Sequence, residues 1–320
     1  MKKFAATLLA LIMVLSLSAC GSKADYPGKQ ITLICPLAAG GGSDTISRLF
    51  AAALEKELGV SVITENKPGA GAGIGLEAIA AADKDGYTIG YIPAEVTTVE
   101  AMGNATVTPE NFEFICTAMK ISALICVPAD SEWNTLEDLI AAAKADPGAV
   151  TIGTAGVGNA YELGLRAMLK SAGIEMNIVN FSGGTAEAIT AMMGGNVQCC
   201  TAGTAEALSY VNSGEFRLLC NLSAERSALF PDTPTATELG YACDGGSWGA
   251  FAAPAGTPAE VMEILRKAGE TILNSEDFKA TLAERGFDEY HVEAVQFKTD
   301  AQEMYGTNSA IIEEFNLSAN

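Results

Sequence analysis

The sequence predicts an α/β fold of two lobes, each built on a mostly parallel sheet covered by helices. Two observations carry this reading. Short, apolar, β-rich segments alternate with segments of helical periodicity along most of the chain. The alternation also runs through two cycles of roughly 100 residues each, which suits two lobes with a cleft between them.

The first cycle opens with a strand over residues 29–36, closed by Pro36. Gly40-Gly41-Gly42 follows, and Ser43-Asp44 opens a helix over residues 45–58, where Ile46, Leu49, Phe50, Ala53 and Leu54 recur at helical spacing before Gly59. A strand at 61–64, a glycine-rich loop at 69–75, an alanine-rich helix to 82 and a strand at 87–92 complete the cycle. The second cycle reads as strand 121–128, helix 135–145, strand 150–154, helix 160–172, strand 178–181 and a helix after Thr185. Further strands are expected at 197–201, 216–221 and 247–254, with helices at 258–274, 275–286 and 295–314.

Four times the chain ends a strand, inserts glycine and starts a helix: at 40–44, 69–75, 156–159 and 183–185. That order aims unpaired N–H groups and the positive end of a helix dipole at one place, which suits an anion. Ligands of open α/β sheets bind beyond the carboxyl ends of the strands, where these loops lie. Ser43 and Asp44, and likewise Asn159, can instead serve as helix caps, and Thr154 as a strand-end turn residue. Trp248 is expected to pack between the lobes.

Sharper catalytic motifs do not hold. Gly73-Ile-Gly75-Leu-Glu-Ala78 meets a relaxed dinucleotide fingerprint, with Glu95 further on, but Pro68 and the long glycine stretch spoil the tight turn it needs. Gly245-Gly-Ser-Trp-Gly249 spells a nucleophile elbow but runs into a strand. The single histidine, His291, stands beside Glu289 and Glu293 and reads as a surface residue. No enzyme activity, metal or cofactor is expected.

The amino end is a secretory signal of the lipoprotein kind. Lys2 and Lys3 precede an apolar run over residues 4–17, then Leu17-Ser18-Ala19-Cys20. Residues 1–19 would be removed, Cys20 lipidated, and residues 20–24 left as a tether, so the protein is expected outside the cytoplasm on a membrane anchor. The chain carries 19 basic and 39 acidic residues, which argues against a nucleic-acid partner. Beyond Cys20 seven cysteines remain. They sit mostly in apolar runs and read as free buried thiols, with a Cys116–Cys126 pair as the alternative.

Several segments together resemble the tripartite tricarboxylate transporter receptors, the Tct/Bug family. These are Tyr26-Pro-Gly-Lys-Gln-Ile31, Cys35-Pro-Leu-Ala-Ala-Gly-Gly-Gly-Ser-Asp44, Glu65-Asn-Lys-Pro-Gly-Ala-Gly71 and Asp85-Gly-Tyr-Thr88. Gly153-Thr-Ala-Gly-Val-Gly158, Phe181-Ser-Gly-Gly184, Glu225-Arg-Ser227, Phe230-Pro-Asp-Thr-Pro-Thr235 and Ala253-Pro-Ala-Gly-Thr-Pro258 extend the likeness along the mature chain. The resemblance implies a monomeric two-lobed flytrap of the periplasmic-binding-protein type that closes on a small carboxylate and delivers it to a membrane permease. Its first lobe would hold residues 25–122 and 244–320, its second 123–243. Carried over by position, the ligand would meet Ala39, Gly40, Gly41, Gly42, Ser43 and Asp44 in one lobe. Thr154, Gly158, Asn159, Gly183, Gly184 and Thr185 would meet it in the other. Where the family often has a histidine after the 156–158 loop, this chain has Glu162, which would disfavour highly charged ligands if it faced the cleft. No Lys or Arg stands in the four loops, so neutral N–H and hydroxyl donors are expected to hold the anion. A sensor presenting a metabolite to a membrane kinase is the alternative function, and an extracytoplasmic enzyme a third.

Overall fold

The structure, a computed structural model, describes residues 26–181 and 184–318. Nine strands among these residues follow the order β2-β1-β3-β9-β4-β7-β5-β6, with β8 also on β4. In the first half, β1 (Ile31–Cys35) lies parallel between β2 (Val62–Asn66) and β3 (Thr88–Pro93). In the second, β5 (Thr151–Ala155) lies parallel between β6 (Asn177–Phe181) and β7 (Cys199–Gly203). These trios carry the parallel pattern expected from the β-α-β alternation. Antiparallel pairs come from the strands that join the halves.

The joining strand β4 (Phe112–Pro128) is 17 residues long. From Phe112 to Ser122 it pairs with β9 (Gly246–Pro254), and from Ala123 onward with β7 and with β8 (Phe216–Asn221). The sequence predicts only its second part, from residue 121. Almost every residue of β4 is buried on both faces, so period-two alternation, the usual strand signal, is absent. Helix α6 (Thr204–Asn212) was also not expected, because it follows β7 with no turn between them.

Helices cover both faces: α1 (Gly42–Leu58), α2 (Gly73–Ala80), α3 (Leu136–Ala145), α4 (Ala160–Ala172) and α5 (Thr185–Met193) precede α6. After β9 come α7 (Ala259–Leu273), α8 (Glu276–Glu284) and α9 (Ala294–Glu314). Helix α1 buries Ile46, Phe50 and Leu54 completely, one turn apart, and Phe50 stacks on Phe251 of β9 at 3.8 Å between centroids. Gly59 ends it at φ 70°, the left-handed conformation that favours glycine. Trp248 is buried edge-on to Phe297, 4.8 Å away. Its packing partners, Ile34, Ile92, Ala250 and Phe297 among them, all belong to the first half, so it packs inside that half and not between the lobes as expected.

The seven cysteines in the described residues are free thiols, all but Cys243 buried, so Cys116 and Cys126 are not bonded. Cys126 and Cys200 face each other across β4 and β7. His291 is exposed and lies 3.2 Å from Glu289. Among the described residues no helix is long and apolar enough to cross a membrane.

Candidate functional site

After β1 the chain turns through Gly40, whose φ of 86° favours glycine, and α1 begins at Gly42. Its N-cap is Gly41, in extended conformation and without a side-chain cap. Helix geometry leaves the N–H groups of Gly42 and Ser43 without an intrahelical acceptor, and Gly41, having no side chain, supplies none.

Asp44 supports this turn from below. Its carboxylate accepts from the Gly40 N–H at 2.9 Å, from Arg48 Nε at 3.1 Å and from Asn66 Nδ2 at 2.9 Å. Burial pushes the carboxyl up, but the Arg48, Gly40 and Asn66 donors outweigh it and hold the group below its ordinary range. Asp44 is thus buried and fully engaged with protein donors. The Gly40 N–H is engaged with it, which leaves Gly41, Gly42 and Ser43 as the open donors.

A cavity of about 350 Å³ lies over this helix start. Gly40, Gly41, Gly42 and Ser43 line it from one side, and Ala205 and Glu206 of α6 from the second half of the chain. Tyr91 and Glu95 from the end of β3 and the turn after it, Ser247 of β9, and Arg285 and Phe287 after α8 complete the polar and aromatic wall. Burial raises the Tyr91 phenol, and the nearby Ser43 side chain opposes the shift. Burial also pushes up the carboxyls of Glu95 and Glu206. Tyr161 is raised by burial and then by the fields of Glu206 and Glu95.

The glycine loop before α4 is built on the same plan. Glu162, fully buried, accepts from the Gly158 N–H at 2.6 Å, from Arg166 Nη2 at 2.6 Å and Nε at 3.0 Å, and from Asn180 Nδ2 at 3.4 Å. It is engaged inside the protein and does not line the cavity. Asn159 caps α4: its Oδ1 accepts from the N–H groups of Tyr161 at 2.9 Å and Glu162 at 3.2 Å. Thr154 is buried and accepts from the Thr201 hydroxyl at 2.9 Å.

Of the residues singled out in the sequence, the cavity brings together Gly40, Gly41, Gly42 and Ser43. Ala39, Asp44, Thr154, Gly158, Gly184 and Thr185 stand outside its wall. Asn159 lines a second cavity of about 500 Å³, which also contains Lys120, Trp248 and Tyr290 and adjoins the first through Glu95. Gly183 and Cys20 lie outside the described residues. Sequence reasoning missed Tyr91, Glu206, Ser247 and Arg285, and read Glu95 only as part of a failed fingerprint. The available signal at Glu95 was a lone charge just past the end of an apolar strand. Among the described residues no group of His, Cys, Asp and Glu side chains could hold a metal ion.

Two halves of mixed α/β structure joined by crossing strands, with a polar cavity at a helix start between them, define a periplasmic-binding-protein fold. A TctC solute-binding protein from Polaromonas, solved without ligand, has this fold at a TM-score of 0.83 and 30% identity, covering 90% of this chain and 99% of that one. An R. palustris protein with adipate is similar in fold, at a TM-score of 0.75 and 22% identity over 92% of this chain and 99% of the other. The UPF0065 protein in the gbd 5′ region of Cupriavidus necator is 30% identical over 92% of this chain and 89% of its own length. Residues 46–317 match the tripartite tricarboxylate transporter family receptor. The chain belongs to that receptor family.

Proposed function

We propose that the protein is an extracytoplasmic solute-binding receptor that captures a small carboxylate between its two halves and delivers it to a tripartite tricarboxylate-type permease. The observation that carries this is the uncapped start of α1, whose Gly41, Gly42 and Ser43 N–H groups border a cavity closed by Ala205 and Glu206 from the other half. A helix N-terminus with open N–H groups is a ready anion site, and the cavity volume suits a small molecule. The adipate named for the R. palustris neighbour is in keeping with such a ligand.

The halves of the proposed flytrap are residues 25–122 with 244–320, and residues 123–243. What supports this division is β4, which changes partners between Ser122, opposite Gly246, and Ala123, opposite Gly203. On closure the second half would bring Gly158, Asn159, Gly184 and Thr185 toward the ligand held at α1, with Thr154 behind them. The Leu17-Ser-Ala-Cys20 sequence supports anchoring through a lipid on Cys20, and Cys20→Ala is expected to release the protein from the membrane fraction.

Calorimetry with mono-, di- and tricarboxylates tests the capture. Gly41 has a φ of −80°, which proline accepts, so Gly41→Pro removes one N–H and stiffens the loop. It is expected to weaken carboxylate binding by about 1–3 kcal/mol. A panel in which no carboxylate binds, or a Gly41→Pro variant that binds as well as the parent, would contradict the reading.

A further inference from the structure

The cavity carries both signs of charge. The open N–H groups at the start of α1 and Arg285 border it on the one hand, Glu95 and Glu206 on the other. Arg285 makes no ion pair among the described residues. Glu206 Oε2 is buried without a hydrogen-bond partner. Burial raises both carboxyls, and only backbone N–H groups oppose it: the residue's own in Glu95, its own and that of Gly203 in Glu206. No side-chain cation offsets either acid.

A buried carboxylate without a counter-charge is costly and is retained where something else supplies the charge. For a protein that takes up anions, two uncompensated acids in the binding cavity are a burden unless the ligand itself is cationic at one end. The N–H groups of α1 and Arg285 fit an anionic end, and the acids fit a cationic one.

We propose that the ligand carries a protonated amine beside its carboxylate, the carboxylate meeting Gly41, Gly42 and Ser43 and the amine meeting Glu95 and Glu206. The inference rests on the carboxylate-capture reading above and adds the class of substrate, an amino acid or amino-bearing acid. Glu95 and Glu206 then determine specificity, since each discriminates an amine from a hydrogen at the same carbon. The competing role for a carboxyl with a raised titration point is a neutral donor to the ligand carboxylate. Glutamine would preserve that role, whereas it removes the counter-charge for an amine.

The test is calorimetry on the parent, Glu95→Gln and Glu206→Gln with matched probes: propionate and L-alanine, succinate and L-aspartate, glutarate and L-glutamate. The parent is expected to prefer the amine-bearing member of at least one pair by about tenfold or more. Either glutamine variant, checked for an unchanged melting temperature, is expected to bring that ratio toward unity mainly through weaker binding of the amine. Deaminated acids that bind as tightly as their partners, or a preference untouched by both substitutions, would overturn the substrate class while leaving carboxylate capture intact. Failure of every probe to bind the parent would overturn both.

Discussion

The loop before α1 and the loop before α4 are two versions of one device, and they differ in whether the helix start is left open. In each, an acid in the first helical turn accepts the N–H of a glycine four residues earlier: Asp44 from Gly40, Glu162 from Gly158. In each, an arginine one turn on pairs with the acid, and an asparagine near the end of the neighbouring strand donates to it. The α4 copy adds Asn159, whose side chain satisfies two N–H groups at the helix start. The α1 copy has Gly41 at the same place and no side-chain cap. The acid and arginine shape the loop, and the N-cap residue decides whether the helix start is satisfied within the protein or left open to water and ligand. Burial differs as well: Glu162 is fully buried with Arg166 at 18% side-chain exposure, whereas Arg48 is 52% exposed.

Breaking the two acids should therefore give unequal results. Glu162→Ala leaves Arg166 and the Gly158 N–H without their acceptor inside the protein, and a loss of about 3 kcal/mol in folding stability is expected by denaturant titration. Asp44→Ala should destabilise less, because water reaches Arg48, yet it should weaken carboxylate binding more than Glu162→Ala does, since it frees the loop that aims Gly41, Gly42 and Ser43. A larger stability loss at Asp44 than at Glu162 would reverse the comparison.

Acid titration sharpens the same point. The Asp44 carboxyl lies below its ordinary value in the folded protein, with burial outweighed by the Arg48, Gly40 and Asn66 donors. Its contribution is thus fully present above the unfolded carboxylate value and is lost as pH falls through the folded one. The stability difference between the parent and Asp44→Asn should be constant near neutrality and shrink in acid. A difference that grows in acid would mean that the sign is wrong. The smallest expected effect is at the cap: Asn159→Ala should cost about 1 kcal/mol of stability and open the α4 start without creating a tight carboxylate site.

Most helices and parallel strands were legible in the sequence, because helical periodicity, glycine stops and proline ends are local signals. Residues 160–172 and 216–221 were read with the bounds that the structure has. The first part of β4 was not legible, since a strand buried on both faces loses its alternation. The glycine loops that precede helices were legible as a class in the sequence, as four runs of strand, glycine and helix. Which of them stays open was not, because it depends on whether the residue at the N-cap has a side chain and where that side chain turns. Glu95, Glu206 and Arg285 come from a turn, a helix start and a helix end far apart in the chain, and only the packing of both halves brings them to one cavity.

In the proposed binding mode α1, not α4, offers its N–H groups to the ligand carboxylate. Amide nitrogen and proton shifts of labelled protein, titrated with the tightest-binding carboxylate of the panel, measure this directly. Large shifts are expected at Gly41, Gly42 and Ser43, with small ones at Tyr161 and Glu162, whose N–H groups already donate to Asn159. Large shifts at Tyr161 and Glu162 with a silent α1 start would contradict that mode.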